Sequence, residues 1–255
     1  FMAAGFLGSP IVSAAILTAG SQSELIAAIN SAVSGDTISL TSNIALNSSN
    51  ISFNMNNRDI TIDGGGIYSI TNNNGLAGGF TVNGGTGSLT FQNFDQLITS
   101  NYYSMVTVVA AANVQLTFDN INTLGNTQAI WMGANGSSVN STMNFGNIKN
   151  DVIVEGGTAN QEIGEVSHVT FSGRFHVSHT NGYVSFNDNS GTQNTATMIF
   201  YNGADVLIDR TGSTASLTPT GTRAFQYTLN DGSKFELIAN KDDFSGTNTD
   251  RKRVV

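Results

Sequence analysis

Acidic residues are the first place to look for chemistry in this chain, and they are scattered: Asp36, Asp59, Asp63, Asp95, Asp119, Asp151, Glu155, Glu162, Glu165, Asp188, Asp205 and Asp209. A polysaccharide lyase needs clustered carboxylates to hold calcium and a base to take the proton beside a uronate. A glycosidase needs two or three carboxyl groups converging on one bond. Asp36 and Asp63 stand 27 positions apart, Asp95 and Asp119 stand 24 apart, and Glu162 and Glu165 share one short stretch. Asp242 and Asp243 form a pair near the end of the chain. None of these spacings assembles a catalytic set, so no catalytic residue is expected. A secreted lyase or glycoside hydrolase acting on acidic polysaccharide is the alternative reading.

His176 and His179, with His168 nearby, raise the question of a metal. Three positions apart on a strand, the first two point to opposite faces, so no metal and no other cofactor is expected. A pH-sensitive surface patch is the better use of such histidines, because histidine changes charge between about pH 5 and 8. Binding has broader support. Tyr102, Tyr103, Trp131 and Tyr183 are the candidate ligand-binding residues, since aromatic faces stack on sugar rings. The many Asn and Gln side chains add donors and acceptors around them. In Ala129-Ile130-Trp131-Met132, alternation puts Trp131 on the face opposite Ile130 and Met132, and either face can be the core.

What would position these residues is a repeated phrase. Leu89-Thr90-Phe91-Gln92-Asn93-Phe94 returns as Leu116-Thr117-Phe118-Asp119-Asn120-Ile121 and as Met143-Asn144-Phe145-Gly146-Asn147-Ile148. Worn copies start at Val169 and Met198, so the steps are 27, 27, 26 and 29. A fixed period of this size marks a solenoid. Alternation within the phrase is that of a strand with one buried face, carrying the Leu, Met or Val and the Phe inward. Asn93, Asn120, Asn147, Gly173 and Asn202 recur two residues after each Phe, at a turn where left-handed backbone is expected. Stacked amides there would bond along the axis as a turn ladder. Short β-branched runs such as Ile60-Thr61-Ile62 and Val106-Thr107-Val108 fit two or three strands into each coil, and the density of Asn, Gly, Ser and Thr excludes helical repeats. The fold expected is all-β: a right-handed parallel β-helix, a single-stranded solenoid with a period of about 27 residues.

One helix is expected, over about 22–33. Ser21-Gln22-Ser23-Glu24 has capping-box spacing, Leu25, Ile26, Ile29, Ala32 and Val33 follow at helical spacing, and Gly35 supplies the stop. Such a helix would cover the apolar end of the first coil. Asp63-Gly64-Gly65-Gly66 lacks the Gly-Lys-Ser/Thr ending of a phosphate loop and reads as a turn between coils.

Together, Glu24-Leu25-Ile26-Ala27-Ala28-Ile29, Gly35-Asp36-Thr37-Ile38 and Ile60-Thr61-Ile62-Asp63-Gly64-Gly65-Gly66 resemble the opening of the pectate-lyase-like superfamily of right-handed β-helices. Within it, the chain most resembles the pectate-lyase-like adhesive domains of Gram-positive surface proteins, over about residues 16–245. That resemblance implies a non-catalytic cell-surface adhesion module that binds a glycan or a host surface protein through a lateral face. It also implies a secreted, wall-associated location within a longer protein. The Asp pairs and His of the superfamily's polygalacturonases, and the Asp and Arg set of its lyases, have no counterpart here. No Leu-Pro-x-Thr-Gly sorting signal occurs either. A structural spacer of a wall-anchored protein is the remaining alternative.

Composition agrees with that class. Hydrophobic residues make up 39% and charged residues 11%, which suits a packed core under a polar, uncharged exterior. A net charge of −8 with no basic stripe argues against nucleic acid. There is no cysteine, hence no disulfide framework. The apolar start ending at Val12-Ser13-Ala14 reads as part of a secretory signal over 1–15, with the adhesive domain over 16–250 and a basic tail or the start of a further segment over 251–255. No stretch reaches the length of a membrane span, so no membrane insertion is expected.

Overall fold

The structure, a computed structural model, describes residues 13–47, 50–72, 79–99, 105–108, 112–125, 132–133, 138–154, 160–162, 166–179, 183–185, 196–209 and 225–238. Each copy of the repeated phrase becomes one rung of a parallel β-helix. The longest path of hydrogen-bonded strands runs Ile16–Ala19, Thr37–Leu40, Arg58–Asp63, Phe80–Gln92, Ala112–Asp119, Ser138–Phe145, Val166–Phe171, Ala196–Phe200 and Phe225–Leu229. Every pairing along it is parallel, and the phrase sets the register: Phe91 lies beside Phe118, Phe118 beside Phe145, Phe145 beside Phe171 and Phe171 beside Phe200. Leu89, Leu116, Met143, Val169 and Met198 form a second inward column two residues earlier.

A second flank follows the first after a tight turn in each coil. It holds Ile44–Leu46, Ile70–Asn72, Leu97–Thr99 and Thr123–Gly125, and then Val152–Val154, Arg174–His179, Asp205–Asp209 and Lys234–Ile238. The third flank stacks Ile51–Asn54, the first half of Phe80–Gln92, Val106–Val108 and Met132–Gly133. Asn160–Glu162 pairs with Tyr183–Ser185 as a separate two-stranded sheet. The long strand Phe80–Gln92 serves two flanks because Gly85 and Gly87 bend it with φ of 90° and 128°, a region closed to most side chains.

Aromatic rings fill the coil interior. Phe91 and Phe118 stack with centroids 5.5 Å apart, Phe118 and Phe145 at 6.4 Å, Phe145 and Phe171 at 5.4 Å, and Phe171 and Phe200 at 5.1 Å. Phe175, from the second flank, packs 4.6 Å from Phe145, and Phe235 packs 4.6 Å from Phe200. Burying each ring contributes about 1.5–3 kcal/mol, and ring contacts add about 0.5–1.5 kcal/mol. From Phe91 to Phe200 this column ties successive coils together, while Ile38 and Ile62 continue it in the first coils.

The helix spans Gln22–Ser31, two residues shorter at its end than the spacing predicts. Its start follows the capping box: the Glu24 N–H donates to Ser21 Oγ, and the Gly20 N–H donates to Glu24 Oε2 at 2.7 Å. The far end is set from outside the helix. Arg58 reaches across from its strand and donates to the carbonyls of Ile29 at 2.7 Å and Ala32 at 2.9 Å, and also to those of Met55 and Asn54. The backbone turns at Ala32, and Gly35, with φ of 94°, completes the reversal into Thr37–Leu40. Leu25, Ala28 and Ile29 are buried and close the end of the coil.

Candidate functional site

The turn after each Phe carries side-chain bonds from coil to coil. Asn93 and Asn120 adopt φ of 55° and 52°, and Asn120 Nδ2 donates to Asn93 Oδ1 at 2.7 Å. Asn93 in turn donates to Asp63 Oδ2 at 3.1 Å, beside Gln92 at 2.8 Å. Beyond Asn120 the ladder changes chemistry. Asp119 Oδ1 accepts the Asn147 N–H at 2.7 Å, and Asn147 Oδ1 accepts the Arg174 N–H at 3.2 Å. Those side chains fill the space where a Cβ on the next coil would stand. It would lie 2.2 Å from Asp119 Oδ1 at Gly146 and 2.5 Å from Asn147 Oδ1 at Gly173. Left-handed backbone, predicted at all five ladder positions, occurs at Asn93 and Asn120 but not at Asn147, Gly173 or Asn202. At the last of these turns it moves one residue on, to Gly203 with φ of 86°.

The outward face of the first flank carries a column absent from the sequence reading. Thr37, Thr61, Thr90, Thr117, Asn144, Thr170, Ile199 and Thr228 stand side by side on consecutive strands. Its signal lies in the phrase, whose second residue is Thr in three copies, although strand propensity alone also selects Thr there. Thr170 Oγ1 donates to Asn144 Oδ1 at 2.8 Å within this column. The third flank has a similar polar surface, where Asn83 Nδ2 donates to Ser52 Oγ at 2.6 Å.

Four of the carboxylates considered for chemistry, Asp36, Asp59, Asp63 and Asp119, are engaged between coils or in turns, while Glu155, Glu165, Asp188, Asp242 and Asp243 lie outside the described residues. Asp36 accepts the Ala15 and Val33 N–H groups at 2.8 Å each, and these two bonds, the Ala15 one first, hold its carboxyl below the ordinary carboxylate pKa against the effect of burial. Asp59 accepts from the Ser88 N–H at 3.0 Å and its hydroxyl at 2.7 Å. Asp63 accepts from the Gly65 N–H at 2.7 Å as well as from Gln92 and Asn93. The 27-residue spacing of Asp36 and Asp63 does not stack them, because Asp63 lies beside Ser39. Asp119 likewise lies beside Gln92 rather than Asp95.

Arg174, His176, Asp151, Asp205 and Lys234 form a charged chain across four coils of the second flank. Arg174 pairs with Asp151, His176 Nε2 lies 3.3 Å from Asp205 Oδ2, and Lys234 Nζ lies 3.3 Å from Asp205 Oδ1. Partial burial works to raise the Asp205 pKa, but the Lys234 ammonium and the His176 ring hold it below the ordinary carboxylate value. This cluster was invisible to a 27-residue period: Arg174 to Asp205 and Asp205 to Lys234 are steps of 31 and 29. His168 lies apart from it, with Nδ1 2.6 Å from Thr197 Oγ1. Among the described residues, no group of three or more His, Asp or Glu is placed to hold a metal ion.

Of the aromatic candidates, Tyr102, Tyr103 and Trp131 lie outside the described residues. Tyr183 begins the strand Tyr183–Ser185, in register with Asn160. Its side chain, like that of His179 at the end of Arg174–His179, lies outside what is described.

No family model matches the sequence, and no curated protein matches it. A solved structure, "L. reuters 100-23 SRRP", superposes with a TM-score of 0.50 at 18% identity, over 89% of this chain and 79% of that one. The two proteins share the solenoid fold. At this identity the likeness concerns the winding of the backbone, not the residues on its faces. No helix among the described residues is long and apolar enough to cross a membrane.

Proposed function

We propose that this chain is a non-catalytic cell-surface adhesion module that holds a glycan or a host surface protein on a lateral face of the solenoid. The observation that carries this reading is the fate of the carboxylates. Asp36, Asp59, Asp63 and Asp119 accept hydrogen bonds that tie turns and successive coils together, which leaves long outward faces of threonine, serine and amide groups. Faces of that kind hydrogen-bond to hydroxylated polymers and to protein surfaces without committing a charge. The resemblance of the chain to the pectate-lyase-like adhesive domains of Gram-positive surface proteins points the same way. The solenoid shared with the L. reuters SRRP supports the fold half of that resemblance.

Tyr102, Tyr103, Trp131 and Tyr183 are the proposed aromatic contacts. In sequence, Tyr102 and Tyr103 closely precede Val106–Val108, and Trp131 immediately precedes Met132–Gly133, the two strands being paired. Secretion and display on a Gram-positive wall, within a longer protein, belong to the same proposal. Modest affinity at one site then becomes firm attachment through many copies. A glycan array and a panel of host surface proteins, in acidic and neutral buffer, tests it. Retention that weakens in a Tyr102→Ala/Tyr103→Ala variant supports the assignment. Blank arrays and panels at both pH values would leave a structural spacer, and unsaturated uronates released from pectin would replace the proposal with a lyase.

A further inference from the structure

The charged chain on the second flank contains a histidine whose two ring nitrogens are held in unequal states. Arg174 Nη2 lies 3.0 Å from His176 Nδ1. A guanidinium can only donate, so Nδ1 must accept, and the neutral ring carries its proton on Nε2. That nitrogen is buried and lies 3.3 Å from Asp205 Oδ2, off the line of a hydrogen bond. On the other side, Asp151 Oδ1 stands 3.6 Å from Nδ1 and is paired with the same Arg174 Nη2. The ring therefore has one donor against it now, and a carboxylate within reach that the donor occupies.

We propose that His176 is a proton-operated switch: the neutral ring accepts from Arg174, and the protonated ring turns that donor away and takes Asp151 instead. A solvent proton adds to Nδ1, which becomes a donor facing another donor at hydrogen-bond distance. The contact turns repulsive, and Asp151 is the acceptor nearest to the new N–H. Arg174 keeps its other arm, because Nη1 donates to the Ile148 carbonyl at 3.2 Å and the Lys149 carbonyl at 3.4 Å. Only the Nη2 edge is released, onto a flank where the Arg174 side chain is already 33% exposed.

The charged groups around the ring come from every coil packed on it. Arg174 lies on its own strand, Asp151 precedes it, Asp205 follows on the next coil, and Lys234 and Glu236 follow on the coil after that, while Lys149 turns its ammonium away onto the Phe94 carbonyl. Leu207 is its neighbour in register and supplies no charge. Arg174 and Lys234 balance Asp151 and Asp205 in the ion-paired cluster, so the proton on His176 adds one positive charge to it and frees a guanidinium edge. The switch stands on these contacts alone and does not depend on what the chain binds.

Nuclear magnetic resonance on the full chain with nitrogen-15-labelled histidine and arginine tests it, titrated across the histidine range of about pH 8 to 5. The expected result is an unprotonated Nδ1 and a protonated Nε2 at the alkaline end. The Arg174 side-chain resonance should then move with the same midpoint as the His176 ring. In His176→Gln the Arg174 resonance should stay flat over that range, with the Phe175 and Val177 amide signals reporting that the coil is intact. A proton on Nδ1 at the alkaline end, an Arg174 resonance that ignores the ring, or one that still moves in a folded His176→Gln protein would each overturn the switch. Should that variant fail to fold, the wild-type tautomer and the two midpoints still decide.

Discussion

Asn120 Nδ2 donates to Asn93 Oδ1 at 2.7 Å, and both residues sit in left-handed backbone one coil apart. The bond and the backbone angle are separate contributions, and substitution separates them. Asn120→Gly keeps the angle accessible and removes the bond, for a loss of about 0.5–1.5 kcal/mol. Asn120→Ala removes the bond and adds about 1–2 kcal/mol of left-handed strain. A solenoid does not unfold in one step. Hydrogen exchange of the amides flanking residues 93 and 120 is therefore the appropriate measurement, with faster exchange expected in Ala than in Gly.

Gly146 and Asp119 form a complementary pair. A Cβ at Gly146 meets only the Asp119 side chain among its three nearest atoms, so Gly146→Ala should destabilise by about 1–3 kcal/mol through overpacking. Removing that side chain makes room. Asp119→Gly combined with Gly146→Ala should cost less than the sum of the two single changes, as measured by a double-mutant cycle on hydrogen exchange of the amides flanking residues 119 and 146. Additive losses would show that the clash is absorbed elsewhere.

Arg58 is the tie between the helix and the first coils. Its Nη1 and Nη2 groups and Nε reach carbonyls of Ile29, Ala32, Asn54 and Met55 at 2.7–2.9 Å. Arg58→Ala should cost about 2–4 kcal/mol locally, since charged donors contribute about 1.5–3 kcal/mol each when well placed. Arg58→Lys should not restore it, because one ammonium cannot span four acceptors. Exchange protection should fall in Gln22–Ser31 while the strands around Phe145 keep theirs.

Asp36 gives the cap an acid limit. Its pKa is lowered by the Ala15 and Val33 N–H groups, so the carboxylate contributes stability above the ordinary carboxylate range. That contribution is lost as pH falls from the unfolded value down through the lowered folded one. Thermal melts of wild type and Asp36→Asn should therefore differ most near neutral pH and converge in acid. A difference that stays constant down to the lowest pH would remove the charge from the explanation.

Much of the architecture was legible because inward residues obey the period. Phe91, Phe118 and Phe145 must repeat if rings are to stack, so their spacing is strict, and the capping box at Ser21 and Glu24 is a local signal. Outward features were harder to read. Thr90 and Thr117 stood in the phrase, but a threonine on a strand surface is also what β propensity alone selects. The Arg174–Asp205–Lys234 register required coil lengths that depart from 27, which only the turns decide. The shortened helix depended on Arg58, 27 residues beyond Ser31 and unlinked to it by any sequence pattern.

The most direct test of the adhesion account is size-exclusion chromatography of the intact chain mixed with soluble glycans or host surface proteins, following both protein position and polymer length. The account predicts co-elution with at least one partner and polymers of unchanged length. Polymers that shorten on incubation, or a chain that elutes alone with every partner at acidic and neutral pH, would contradict it.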